Sequence, residues 1–170
     1  MLSFDIRSLE SQAAHVDGTV SPDDPVWEAG DMRPSEPVRV EGRLSAAGPH
    51  RFYFSGRMSG ALEMPCRRCL EDVKVNVSEE EHFIFSAEGE EGSDDPDVFP
   101  FNPNAFSLDM RPAVREAWLL AAPAFVQCRE DCKGLCPTCG TDLNAGECDC
   151  EPVTTDSRWE KLRAIRDDLS

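Results

Sequence analysis

The sequence predicts an α+β fold: a mainly antiparallel β-sheet with a core helix, a C-terminal helix and cysteine knuckles. Three observations lead there. Apolar and polar residues alternate between Val38 and Phe85, the period of half-buried strands. Met110, Val114 and Trp118 then recur at four-residue spacing, the period of a helix with one buried face. Finally, eight cysteines fall into two knots, Cys66 with Cys69, and a run holding Cys128, Cys132, Cys136, Cys139, Cys148 and Cys150.

Leu2, Phe4 and Ile6 alternate with polar neighbours and suit a short opening strand. Asp17 to Pro37 is acidic, carries four prolines and reads as a long loop, with Trp27 and Met32 as its anchors to the body. Val38, Val40 and Leu44 form one strand, and Phe52, Phe54 and Met58 the next. Ala46-Ala47-Gly48-Pro49 supplies the turn of an antiparallel hairpin. A further strand is expected from Gly60 to Met64, followed by strands over Val73 to Val77 and His82 to Phe85, so that Cys66 and Cys69 lie at a hairpin tip. The acidic loop 88–103 is broken only by Val98, Phe99 and Phe101 and reads as mobile. Asp109 caps the core helix, with Pro112 in its first turn and Pro123 at its end. Ser157 and Glu160 at capping-box spacing announce an amphipathic helix bearing Trp159, Leu162, Ile165 and Leu169. At 170 residues one main core is expected, over residues 1–127, followed by a knuckle segment with the terminal helix over 128–170.

The start of the chain has neither a basic segment nor an apolar run, and no stretch approaches the roughly 20 apolar residues of a membrane span. A cytoplasmic protein with no membrane partner is therefore expected. In that reducing setting clustered cysteines are metal ligands more often than disulfides. Cys136-Pro-Thr-Cys139-Gly140 has the form of a zinc knuckle, and Cys148-Asp149-Cys150 can complete its site. Cys66, Cys69, Cys128 and Cys132 are then left for a second ion. The rival arrangement, the two C-x2-C knuckles sharing one ion as in zinc ribbons, strands the remaining thiols. Two zinc ions are expected.

Seventeen basic against 33 acidic residues give a formal charge of −16 at pH 7, which opposes unspecific attraction to nucleic acid. Arg67, Arg68, Arg111, Arg115, Arg129 and Lys133 adjoin the cysteines or the core helix. They either gather into one positive face or serve as partners for the many carboxylates. His15, His50 and His82 are scattered, no phosphate-cradling or metalloprotease motif occurs, and four cysteines close a zinc site against substrate. A redox C-x2-C belongs at a helix start, whereas Cys66-Arg-Arg-Cys69 lies between strands. No enzyme and no small-molecule substrate are expected.

Met64-Pro65-Cys66-Arg67-Arg68-Cys69-Leu70-Glu71, Leu119-Leu120-Ala121-Ala122-Pro123, the run from Cys128 to Gly140, and Asp156-Ser157-Arg158-Trp159 together resemble the YceD family, as does the opening Phe4-Asp5-Ile6-Arg7-Ser8-Leu9. The Asp17 to Pro37 segment departs from the family's usual pattern. The resemblance implies a non-enzymatic role in ribosome biogenesis, in the accumulation of large-subunit ribosomal RNA. Direct contact would set Arg67, Arg68, Arg129 and Lys133 against phosphates. An adaptor would instead hold a basic ribosomal protein, with L32 a candidate because its gene commonly adjoins that of family members; the −16 charge favours this version. A different class of function, a redox-switched zinc chaperone, would have oxidation of Cys136, Cys139, Cys148 and Cys150 eject the ion.

Overall fold

A computed structural model describes residues 2–93, 95–150 and 165. The terminal helix expected around Ser157 to Leu169 lies outside the described residues, save Ile165. The elements are β1 (Ser3–Asp5), α1 (Ile6–Ser11), β2 (Ala14–Val20), β3 (Val38–Gly48), β4 (Arg51–Pro65), β5 (Asp72–Ala87), β6 (Val98–Phe101), β7 (Ser107–Asp109) and α2 (Arg111–Ala121). Strands β2 to β6 form one sheet in chain order, and β1 pairs with β7 in a second, two-stranded sheet. The fold is α+β, with β2–β3 and β3–β4 antiparallel and β5–β6 parallel. Across β4 and β5, Arg57 meets Glu80 and Phe54 meets Phe83, so the numbers rise on one strand as they fall on the other, the order of an antiparallel pair.

Several expectations are corrected. The loop from Asp17 begins only at Ser21, because His15 to Val20 alternate exposed and buried and pair with β3. Ile6 starts α1 rather than ending a strand: Asp5 caps that helix by accepting from the Ser8 amide at 2.8 Å. β4 takes in both segments expected as separate strands, the one through Phe52 to Met58 and the one from Gly60 to Met64, and the two segments after Cys69 are likewise one strand, β5. The acidic loop 88–103 contains β6, whose Val98 is buried and whose Phe99 ring packs on Phe83 and Phe85. Met110, rather than Asp109, is the capping residue of α2, although Asp109 Oδ1 accepts from the Arg111 amide at 3.0 Å.

Two compact units result, one of Met1–Met64 with Val73–Val126, the other of Pro65–Asp72 with the described residues from Gln127 onward. The hydrophobic core belongs to the first, the sheet unit. Val38 and Val40 of β3, Phe54 and Met58 of β4, and Phe85 of β5 bury there with Ala113, Val114 and Trp118 of α2. Gly60 makes the helix fit. A Cβ on it would lie 2.9 Å from the Trp118 ring, closer than side chains pack.

Trp118 Nε1 donates to the Met32 carbonyl at 2.9 Å, so Met32 anchors its loop through backbone while its side chain stays partly exposed. Trp27, the other expected anchor, is buried and donates to the Ser21 carbonyl. Arg115 grips Asp31 with two hydrogen bonds of 2.7 and 2.9 Å, and Arg111 bonds Asp109 and Asp24. The Arg115 guanidinium holds the Asp31 carboxyl below the usual carboxylate range. These two arginines therefore serve the loop's own carboxylates, one of the two uses expected for them.

Candidate metal centres

The turn Cys66–Glu71, between β4 and β5, and the turn Cys136–Thr141 are built alike. Cys66 N–H donates to the Glu71 carbonyl at 2.8 Å and receives at its own carbonyl the Leu70 amide at 3.0 Å. Cys136 N–H donates to the Thr141 carbonyl at 2.8 Å and its carbonyl receives the Gly140 amide at 2.9 Å. Each turn closes through a residue in the left-handed region, Leu70 at φ 62° and Gly140 at φ 76°. Such a turn aims both sulfurs of a C-x2-C pair at one point.

The eight sulfurs meet in two groups. Cys66, Cys69, Cys128 and Cys132 form the first, and Cys136, Cys139, Cys148 and Cys150 the second, with the sulfurs of each group within 4.8 Å of one another. In the first, Cys66 Sγ lies 3.9 Å from Cys132 Sγ, and Cys69 Sγ 3.6 Å from Cys128 Sγ. A tetrahedron with metal–sulfur bonds of about 2.3 Å has sulfur–sulfur edges of about 3.8 Å, whereas a disulfide needs about 2.05 Å. The donor set therefore fits a thiolate-bound metal ion. The zinc-ribbon arrangement, in which the two C-x2-C pairs share an ion, is not the grouping seen.

Backbone amides prepare the first group for charge. Cys66 Sγ receives the Arg68 amide at 3.5 Å and the Cys128 amide at 3.4 Å. Backbone hydrogen bonding, foremost from Cys69, pulls the Cys66 thiol down to about 6 against the effect of burial. Burial pushes the Cys128 thiol up. In the second group Cys139 is lowered to about 6, led by the Thr141 hydroxyl 3.2 Å away. Cys66, Cys69 and Cys132 are buried, while Cys139 is exposed and Cys148 and Cys150 are half-buried, so the first group is the more enclosed.

Asn144 is a supporting residue that nothing in the sequence marks as part of the site. Its side-chain oxygen accepts from the Lys133 amide and from the Arg129 guanidinium, both at 2.8 Å, and its amide nitrogen donates to Cys132 Sγ at 3.6 Å and Asp142 at 2.7 Å. Gly134, at φ 77°, brings its backbone against Arg68, where a Cβ would lie 2.9 Å from the carbonyl oxygen. The next amide, Leu135 N–H, donates to that same carbonyl at 3.0 Å. Of the four basic residues expected at an RNA contact, Arg67 bonds Gln127, Arg129 pairs with Asp131 and Asn144, and Arg68 and Lys133 contribute backbone to this scaffold.

Leu70 is a local misfit, a leucine 63% exposed at a position where the sister turn has glycine. A left-handed non-glycine residue costs about 1–2 kcal/mol, and glycine's extra unfolded-state freedom about 0.5–1 kcal/mol. Leu70→Gly is thus expected to raise the stability of the cysteine unit by up to about 1 kcal/mol, read from chelator-dependent unfolding, while Gly140→Leu lowers it.

What results is an α+β protein with two four-cysteine clusters, each built on one of a pair of matching knuckles and neither belonging to the hydrophobic core. The profile of the family described as large ribosomal RNA subunit accumulation protein YceD matches residues 54–166, and the chain belongs to that family. It is 30% identical over 142 residues to the uncharacterised protein YlbN of Bacillus subtilis, covering 82% of this chain and 80% of that one. It is 29% identical to the chloroplastic large ribosomal RNA subunit accumulation protein YCED homolog 1 of Arabidopsis thaliana, over 51% of this chain and 30% of the plant protein. An uncharacterised protein of Mycobacterium bovis is 32% identical over 64% of this chain and 52% of its own length. No solved structure matches significantly. No helix among the described residues is long and apolar enough to cross a membrane.

Proposed function

We propose that the chain is a non-enzymatic, zinc-stabilised factor in ribosome biogenesis, needed for accumulation of large-subunit ribosomal RNA. Family membership over residues 54–166, a span that contains all eight cysteines, is the observation that carries this reading. Zinc suits the donors, since four thiolates at tetrahedral spacing give a closed structural site with no position left for substrate. Cys66, Cys69, Cys128 and Cys132 would hold one ion, and Cys136, Cys139, Cys148 and Cys150 the other. Between the two versions of the mechanism, the charge of −16 favours holding a basic ribosomal protein, L32 being a candidate, over direct contact with phosphates through Arg67, Arg68, Arg129 and Lys133. The partly occupied Arg67 and Arg129 side chains point the same way.

Depletion of the protein in its host is expected to lower the ratio of large- to small-subunit ribosomal RNA, with rescue by the natural chain but not by Cys66→Ser/Cys69→Ser. An unchanged ratio on depletion would overturn the role.

A further inference from the structure

On the sheet unit, a cleft of about 240 Å3 opens between α2, β5 and the segment entering β6. Its volume lies below the roughly 300–1,000 Å3 of small-molecule sites and suits a few side chains of a docked segment. The rings of Phe83 and Phe99 meet edge-on at 5.7 Å and form an apolar wall. Leu120 stands at the mouth, 80% exposed at the end of a helix whose Val114 and Trp118 are fully buried.

The rim is acidic. Glu81 from β5, Asp97 ahead of β6 and Glu116 from α2 line the cleft, and none of the three forms an ion pair among the described residues. This contrasts with Glu80, Glu36, Asp31, Asp24 and Asp109, each of which has an arginine or lysine partner. The histidine on the lining, His82, is engaged with Tyr53, stacked on its ring and hydrogen-bonded to its hydroxyl at 2.8 Å. Burial and the neighbouring Glu79 push the Glu81 carboxyl above its usual range, and His82 beside it offsets this only in part.

We propose that this cleft docks a short amphipathic segment of a basic protein, an apolar side chain against Phe83, Phe99 and Leu120, and lysine or arginine side chains against Glu81, Asp97 and Glu116. Charge complementarity selects the occupant: the carboxylates repel a nucleic-acid backbone and another acidic copy of this chain, and they attract a cationic peptide. The proposal rests on the adaptor version of the function and supplies its contact surface.

The test uses the purified full chain, loaded with metal, and a fluorescent lysine-rich peptide with leucines at helical spacing, read by anisotropy. Saturable binding is expected to weaken about tenfold or more in Glu81→Lys/Glu116→Lys and in Leu120→Asp. It should change by less than about twofold in Glu88→Lys/Glu90→Lys, which alters the same net charge elsewhere. Glu116 and Leu120 are exposed, so their replacement leaves the core intact, and a thermal melt confirms that each variant is folded. Weakening in Glu88→Lys/Glu90→Lys equal to that in Glu81→Lys/Glu116→Lys would reduce the effect to diffuse charge and overturn the site. Undiminished binding in Leu120→Asp, equal binding of a leucine-free peptide, or self-association abolished by Leu120→Asp would overturn it as well. Because binding is read on the purified chain, its failure leaves the ribosomal RNA ratio in depleted cells as an independent test of the function.

Discussion

Cys66→Ser/Cys69→Ser will lose one bound metal ion and the ordered structure of the cysteine unit while leaving the sheet unit folded. The expectation follows from where the stabilising energy lies. None of the cysteines belongs to the hydrophobic core cluster, and the core residues all come from the sheet unit. The cysteine unit is held instead by turns, backbone hydrogen bonds and two sulfur groups. Apparent binding of structural zinc is worth about 10–16 kcal/mol, as large as the roughly 5–15 kcal/mol that stabilises a whole domain. Cys69 and Cys128 are 59 positions apart in the chain, so an ion held by the first group would also close a long loop. Proteolysis is therefore expected to cut the variant between residues 127 and 150, a region expected to resist cleavage in the metal-loaded natural chain. Resistance equal to that of the natural chain would show that the first group does not hold the unit together. A chelator should reproduce the effect, and acid should too, because protons displace metal from thiolate ligands as the pH falls.

Trp118→Ala will cost the sheet unit about 3–5 kcal/mol, since it removes, from the contact between α2 and β4, the largest fully buried side chain among the described residues. Against a stability of about 5–15 kcal/mol, that leaves a marginal fold. Two further losses add to the cavity: the Gly60 backbone loses the ring it accommodates, and the Met32 carbonyl loses its donor. Trp118→Phe keeps much of the ring volume but not the indole N–H, and should cost less. Urea unfolding followed by circular dichroism separates the two variants. A loss under about 1 kcal/mol for the alanine variant would show that the helix is not a core element.

Much of this was legible in the sequence because burial imposes a period. Val38, Val40, Phe52, Phe54 and Met58 alternate as strand residues must, and Met110, Val114 and Trp118 mark one helix face. The sulfur grouping was legible for a different reason: Cys148 and Cys150 lie close behind the second knuckle, leaving the other four cysteines together. Errors arose where one residue type serves two ends. Gly60 reads only as the start of a further strand, yet it lies inside β4, where its missing side chain lets the Trp118 ring approach. β6 hides in an acidic stretch because it is four residues long with a proline inside, too short for alternation to register. α1 is similarly brief, six residues announced only by its Asp5 cap. Asn144 and the acidic cleft are products of tertiary structure: nothing in their local sequence shows that Asn144 reaches Cys132, or that Glu81 and Glu116 line one cleft.

Native mass spectrometry of the purified chain, counting bound ions, tests most directly whether these are two separate four-cysteine sites. Two zinc ions are expected in the natural chain, and one each in Cys66→Ser/Cys69→Ser and Cys136→Ser/Cys139→Ser. A single ion in the natural chain, lost in both variants, would mean that the knuckles share one site and would contradict the separation of the two centres.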